Sequence, residues 1–253
     1  MVGADWIVVD ERLVEVEPYV EHEAHMDTWE RLEAGLPSLG RIHAMLRGLQ
    51  VSPNGADPPA SNHVESVEAR TWTARATAKI RTWVSTPAER QLADRADDLA
   101  RLVEHAEQGL PQRPWQLVHG DFWDNNVFFR DGRVVAVTDF DFMGVRPRVD
   151  DIALTLYYTN STFTDDQVSD DRVRLLRGLV DAYDSGLDVP LSETERVAMP
   201  LALARMPLAF IGMIASQATE QDARELAAAM APDIAWALEI VRDSGHWQEA
   251  FVR

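Results

Sequence analysis

Two short apolar runs near the start of the chain are typical of β-strands. Trp6-Ile7-Val8-Val9 and Leu13-Val14-Glu15-Val16 flank the polar turn Asp10-Glu11-Arg12, and this pattern predicts a hairpin. Pro18 has no N–H to donate to a ladder. The second strand should therefore end, or leave the sheet, at residues 17–19.

Apolar residues then recur at steps of three and four positions, which predicts helices. The first helix should begin near Asp27, a candidate N-terminal cap together with Glu30, and should fade near Gly48. Residues 51–59 hold three prolines, a glycine and an asparagine, so they predict a loop. A second helix is predicted over residues 67–84.

Two capping boxes mark helix starts further along the chain. Thr86-Pro87-Ala88-Glu89 combines a box with a proline at the first helical position and predicts a third helix that ends before Gly109. Beyond residue 150 the pattern is helical to the end, with a second box at Ser192-Glu193-Thr194-Glu195. Pro200 and Pro207 should kink or divide the helix that follows this box.

A strand and a hairpin are predicted in the middle of the chain. Trp115 to Val118 forms the strand, and Asp131-Gly132 separates the apolar runs 126–129 and 133–137. Asp-Gly between two such runs is a strong hairpin signal. Pairing of these runs would bring Asn126 and Asp139 to the same end of the ribbon.

Composition is typical of a soluble globular protein, with 46% hydrophobic and 26% charged residues among 253. The net charge of −18 disfavours nucleic acid and anionic membranes as partners. There is no cysteine, which excludes disulfides and thiolate metal sites. Since we find neither a signal peptide nor an apolar run of the ~18 residues that span a bilayer, we expect a cytoplasmic protein that does not bind membranes.

The spacing of polar residues around the hairpin suits phosphoryl transfer. Asp121 and Asn126 lie five positions apart between a strand and a hairpin. An aspartate there can accept a proton from an attacking hydroxyl, while the amide oxygen of an asparagine can hold Mg²⁺. Asp139 would supply the second metal ligand. Three neighbours could replace the proposed ligands: Asp124, Asn125 and Asp141.

These residues resemble the motifs of the aminoglycoside phosphotransferase and choline kinase superfamily. Its H-G-D-x-x-x-x-N loop is matched by His119-Gly120-Asp121 with Asn126, and its I-D-[WF] segment by Thr138-Asp139-Phe140. The resemblance implies an ATP- and Mg²⁺-dependent kinase that phosphorylates a hydroxyl of a small molecule. It implies Asp121 as catalytic base, Asn126 and Asp139 as Mg²⁺ ligands, and His119 as an organiser of the loop that contains Gly120.

The resemblance extends to both sides of this loop. Asp151-Ile152-Ala153 matches a D-[LI]-A triplet whose aspartate tethers the catalytic loop. Residues 14–20 resemble the hinge strand that presents backbone groups to adenine, which implies Glu17 and Tyr19 as nucleotide contacts. The implied fold is α+β: a mostly helical protein-kinase-like C-lobe with a small catalytic hairpin at residues 21–253, preceded at residues 1–20 by a remnant of the nucleotide-binding N-lobe and hinge.

A kinase also needs a loop over the phosphates and a strand lysine. Gly3 is the only glycine before Glu17, and the single lysine of the chain is Lys79, in a predicted helix. We therefore expect a chain truncated within its N-lobe. The alternatives are a lobe supplied by another chain and a non-catalytic kinase-like scaffold or binding protein. A metal-dependent hydrolase is a third hypothesis, disfavoured because no histidine cluster has metal-ligand spacing.

Several other residues can be interpreted as either structural or functional. His43 fits a packing role better than catalysis, and Trp123, Tyr157 and Tyr158 fit either the core or a pocket wall. An acidic surface would suit a cationic small-molecule substrate, although most surface carboxylates simply remain solvated. The candidates for such contacts are Asp181, Asp184, Asp188, Glu193 and Glu195. The sequence does not select a substrate or an oligomeric state.

Overall fold

The computed structural model describes residues 6–9, 12–15, 18–50, 63–163 and 170–252. Within these ranges the fold is mostly helical, with small antiparallel sheets. The helices are α1 Trp29–Leu46, α2 Ser66–Thr82, α3 Pro87–Gln108, α4 Arg148–Phe163, α5 Asp170–Asp184, α6 Glu193–Gly212, α7 Glu220–Arg242 and α8 Ser244–Val252. The strands are β1 Trp6–Val9, β2 Arg12–Glu15, β3 Ala24–His25, β4 Trp115–Val118, β5 Val127–Arg130, β6 Arg133–Val137 and β7 Gly144–Pro147.

The strands pair in three separate antiparallel sheets within the described residues: β1 with β2, β4 with β7, and β3–β5–β6 in that order. The predicted hairpins at residues 6–16 and 126–137 are confirmed over their described parts. The short strands β3 and β7 were not predicted. Each is made by pairing with a partner distant in the chain, and such pairing leaves little trace in local sequence patterns.

Side-chain caps set the helix starts. Both predicted capping boxes are present, at Thr86 with Glu89 and at Ser192 with Glu195. The predicted cap of α1 is wrong by one position, because the Thr28 hydroxyl, not Asp27, accepts the Arg31 N–H. Asp27 instead forms an ion pair with the Arg31 guanidinium.

Helix α6 is the centre of the core and packs against α2, α4, α7 and α8. The expectation that Pro200 and Pro207 divide it is wrong, since the helix is continuous from Glu193 to Gly212. Apolar surface on all sides explains its burial. By length and composition, Glu193–Ser216 also passes as a membrane span, contrary to the expectation of no such run, but 78% of its most apolar stretch is buried inside the protein.

Candidate active site

The loop between β4 and β5 carries the proposed catalytic residues. Asp121 is 9% exposed and Asn126 5% exposed. The Asn126 Nδ2 donates to the Asp121 backbone carbonyl at 2.9 Å and to Asp121 Oδ2 at 3.0 Å. The amide therefore fixes the Asp121 carboxylate relative to the Asp121 backbone. The other polar atom of the Asn126 side chain, Oδ1, can accept a hydrogen bond or coordinate a metal ion.

Gly120 permits the turn that presents Asp121. Its φ is +85°, a left-handed conformation, and a Cβ built there would lie 2.1 Å from the Phe142 carbonyl oxygen. Only glycine avoids both the backbone strain and this contact. The loop that carries Asp121 thus passes directly against the segment that follows Asp139.

His119 stabilises the same turn from within. Its buried ring lies 4.7 Å from the Phe140 ring, and its Nδ1 accepts the Asp121 N–H at 3.2 Å. Burial is the main cause that lowers its pKa, so the ring is neutral with the proton on Nε2. His119 thus contacts the loop backbone; its role as an organiser of the loop stays a prediction.

Asp151 holds the loop from the first turn of α4. Its Oδ2 accepts the His119 N–H at 3.1 Å and its Oδ1 accepts the Gly120 N–H at 3.0 Å. Burial raises the pKa of Asp151, but hydrogen bonding and charge from His43, with smaller contributions from the loop, outweigh burial and lower the pKa. The carboxylate is ionised and accepts all these hydrogen bonds.

Sequence reasoning missed two further supports of the loop. His43 on α1 donates to Asp151 and also contacts the Tyr183 hydroxyl at 2.7 Å, whereas we predicted only packing. The Thr155 hydroxyl, one helical turn after Asp151, donates to the Phe122 carbonyl at 2.6 Å. The four-residue spacing from Asp151 was a signal for Thr155; nothing local links His43 to Tyr183.

Asp139 lies at one end of the hairpin, just after β6, and Asn126 lies at the same end, immediately before β5. Val127 pairs with Val137, and the Thr138 N–H donates to the Asn126 carbonyl at 3.0 Å. Asp139 is exposed and has a φ of +61°, a conformation that few non-glycine residues adopt and that is frequent at functional sites. The predicted convergence of Asn126 and Asp139 at one end of the ribbon is thus present in the backbone.

The donor set fits Mg²⁺. Carboxylate and amide oxygens are hard ligands, and Mg²⁺ is usually held by one or two carboxylates plus phosphate oxygens and water. Within the described residues no group of three or more His, Cys, Asp or Glu side chains forms a self-sufficient metal site. Of the alternative ligands, Asp124 accepts the Asn125 N–H at 2.7 Å, while Asn125 and Asp141 are exposed.

Aromatic rings stand beside Asp121. The Tyr158 ring lies 4.9 Å from Trp123 and 5.6 Å from Phe210. Burial raises the pKa of Tyr158 to about 12, and the negative charge of Asp121 adds to this shift, which places the phenol within the field of that carboxylate. Trp123 and Tyr158 are half-buried, whereas Tyr157 is buried and donates to Asp233 at 2.6 Å.

The remaining predicted residues lie elsewhere. Tyr19 is 83% exposed, Glu17 lies outside the described residues, and both stay predictions as nucleotide contacts. Most of the acidic candidates for substrate contacts form ion pairs instead. Asp181 and Asp184 pair with Arg196, Asp188 with Arg47, and buried Glu195 with Arg148.

A helical lobe in which such a loop lies between a strand and a hairpin and is held by a buried aspartate is typical of the class of protein-kinase-like phosphotransferases. The Phosphotransferase enzyme family model matches residues 10–190, and the chain belongs to this family. Homoserine kinase from Phenylobacterium zucineum is 33% identical over 110 residues, a match that covers 42% of this chain and only 30% of that protein.

Solved structures show the same fold. An aminoglycoside phosphotransferase from Alicyclobacillus acidocaldarius has a TM-score of 0.61 and 15% identity, over 97% of this chain and 75% of that one. An amicoumacin kinase solved with AMP-PNP and Ca²⁺ has a TM-score of 0.60 and 16% identity, over 92% and 69% of the two chains. The predicted α+β, kinase-like fold is therefore correct.

Proposed function

We propose that this chain carries the catalytic and metal-binding part of a kinase that transfers a phosphoryl group from ATP to a hydroxyl of a small molecule. The observation that supports it most is the double hydrogen bond from Asn126 to Asp121, at the end of the hairpin where Asp139 also lies. In a kinase, catalysis is mainly positioning and charge stabilisation, and this loop is fixed by several buried hydrogen bonds.

In the proposed reaction, Asp121 accepts the proton of the substrate hydroxyl as its oxygen bonds to the γ-phosphorus of ATP. The bond from that phosphorus to the bridging oxygen breaks, and ADP leaves. Asn126 orients Asp121 and, with Asp139, would hold Mg²⁺. A bound Mg²⁺ would neutralise charge on the phosphate oxygens. His119, Gly120 and Asp151 keep the base in place.

The acceptor would lie against the aromatic wall beside Asp121. Trp123 and Tyr158 are half-buried, so part of each ring can contact a bound molecule, and the Phe210 ring packs against Tyr158. Aromatic faces bind alkyl, sugar and ammonium groups. Homoserine and aminoglycosides, taken from the names of the relatives, are the first acceptors to test.

The test measures ADP release and phosphorylated product with ATP, Mg²⁺ and each acceptor. We expect turnover with at least one acceptor and its loss in Asp121→Asn, which keeps a similar shape but removes the base. MgATP binding should survive that substitution. An Asp121→Asn protein that turns over at the unchanged rate would show that the assigned base is wrong.

One observation favours the alternative of a non-catalytic scaffold. Lys79, the only lysine, donates from α2 to the carbonyls of Gln217 at 2.8 Å and Ala215 at 3.4 Å, away from the catalytic loop. It therefore does not act as the phosphate-binding lysine. Calorimetry with ATP separates the two proposals, because a scaffold gives no heat that depends on Mg²⁺.

A further inference from the structure

A cavity of about 370 Å³ lies at the end of the β4–β7 sheet remote from the catalytic loop. Trp115 and Pro147, which pair at this end of the ladder, form part of its wall. Strand β4 runs from Trp115 to Val118, just before His119, so four steps of about 3.3 Å along the chain separate Trp115 at the cavity from His119 by about 13 Å. The cavity is distinct from the proposed catalytic site.

Buried charges line the cavity. Arg205 on α6 is only 1% exposed, and its Nη2 lies 2.7 Å from Oδ1 of buried Asp150. Its Nη1 pairs with Glu107 at the end of α3. The Arg205 guanidinium thus forms ion pairs with both the Asp150 and the Glu107 carboxylates. The adjacent His63 is neutral near pH 7, since burial lowers its pKa to about 4.

At this cavity, Arg113 Nη1 and Arg205 Nε are buried donors without a hydrogen bond to any described residue; Arg205 Nη2 also lacks hydrogen-bond geometry, but it lies 2.7 Å from Asp150 Oδ1. Arg113 Nη1 is buried without a hydrogen-bond acceptor, and its nearest carboxylate oxygen, Asp150 Oδ1, is 3.9 Å away, too far for a hydrogen bond. Arg205 Nε is likewise buried without an acceptor. A buried donor without a partner is costly, and more so when it is charged. These two donors favour a ligand that supplies acceptor oxygens.

We propose that this cavity binds a small oxyanion, a carboxylate or a phosphomonoester, through Arg113 Nη1 and Arg205 Nε. Guanidinium groups form strong, charge-assisted hydrogen bonds with either anion. The volume lies at the lower end of the range for small-molecule sites, roughly 300–1,000 Å³. Leu110, Pro111 and Trp115 also line the cavity and would contact the carbon part of the ligand. This proposal does not depend on kinase activity.

The experiment titrates the full chain, free of metal and nucleotide, with inorganic phosphate and, separately, with acetate, by isothermal calorimetry. We expect saturable one-to-one binding of at least one anion. Tighter binding of phosphate would assign a phosphomonoester, and tighter binding of acetate a carboxylate. Arg113→Gln should weaken the affinity about ten-fold, equivalent to ~1.4 kcal/mol. Arg101→Gln, a matched change on the exposed face of α3, should leave the affinity unchanged.

Thermal melts of the free proteins check that each variant folds. If Arg113→Gln melts early, Arg113→Lys replaces it; this variant keeps the charge but loses the planar fork of donors, and it should still weaken binding. The proposal is overturned if neither anion gives saturable heat at millimolar concentration, or if the Arg113 variants bind as tightly as the unmodified protein.

Discussion

His43 Nε2 lies 2.8 Å from Asp151 Oδ2, although 108 residues separate the two in the chain, and neither side chain has exposed surface. The Tyr183 hydroxyl is 2.7 Å from the other nitrogen of the ring. Burial raises the pKa of Tyr183, so this phenol remains protonated, and it forms a hydrogen bond with the imidazole. A hydrogen-bonded chain thus runs from α5 through α1 to the carboxylate that holds the His119-Gly120 backbone.

Removing the central member of this chain should destabilise the protein. His43→Ala leaves the Asp151 carboxylate buried with fewer donors, and we expect the free energy of unfolding to fall by about 3 kcal/mol. Tyr183→Phe removes only a hydroxyl and should cost about 1 kcal/mol. Urea denaturation of the two variants measures the difference. If both variants lost an equally small amount of unfolding free energy, the His43 ring would contribute packing only and not its hydrogen bonds.

Gly120 offers a second test, because an alanine there meets two obstacles. Besides its positive φ, the new Cβ would lie 2.1 Å from a backbone oxygen, which cannot move as a flexible side chain can. Gly132 is a matched control, with a φ of +68° and no atom within 4 Å of the Cβ position. We expect Gly132→Ala to cost about 1 kcal/mol and Gly120→Ala about 3 kcal/mol. Denaturation curves that coincide would contradict the close approach.

Calorimetry can decide which of two neighbouring residues, Asp139 or Asp141, is the Mg²⁺ ligand. Asn tolerates the left-handed conformation at least as well as Asp, so Asp139→Asn removes the charge while leaving the backbone at φ +61° undisturbed. We expect Mg²⁺-dependent ATP binding to weaken by about ten-fold or more, whereas Asp141→Asn should leave it little changed. The reverse ranking would transfer the ligand role to Asp141.

Elements set by local chemistry could be predicted from the sequence. The Thr86 and Ser192 capping boxes and the Asp131-Gly132 turn depend on residues within four positions of each other, and the structure has all three. The loop proposed as catalytic could be selected from the sequence because its Asp and Asn are also close in the chain. Family resemblance then supplied Asp151, which has no local signal of its own.

Features that join distant residues could not be read from the pattern. The acidic residue Glu195 looks like an ordinary helix cap, yet Arg148 pairs with it in the interior at 2.7 Å. Arg205 lies in the middle of an apolar helix, and its burial is explained only by the fold, which places Asp150 and Glu107 beside it as ion-pair partners. Periodicity indicates which face is buried, but it does not identify the partner of a buried charge.

The pH dependence of stability gives a prediction specific to His63. Burial lowers its pKa from 6.5 to about 4, against the attraction of Asp150. Above pH 6.5 the ring is neutral in both the folded protein and the unfolded chain, so its titration does not change the free energy of unfolding. As pH falls from 6.5 to 4, the unfolded chain binds a proton that the folded protein does not, so stability falls. The loss is at most about 3 kcal/mol at pH 4.

His63→Gln removes this titration, and the melting temperature of the variant should therefore fall less steeply between pH 6.5 and 4 than that of the unmodified protein. His105→Gln, on an exposed position of α3, corrects for the general effect of losing a histidine. The difference between the two variants should disappear above pH 7, where His63 carries no charge in either state. Parallel curves across the whole range would show that His63 is protonated as readily in the folded protein as in the unfolded chain.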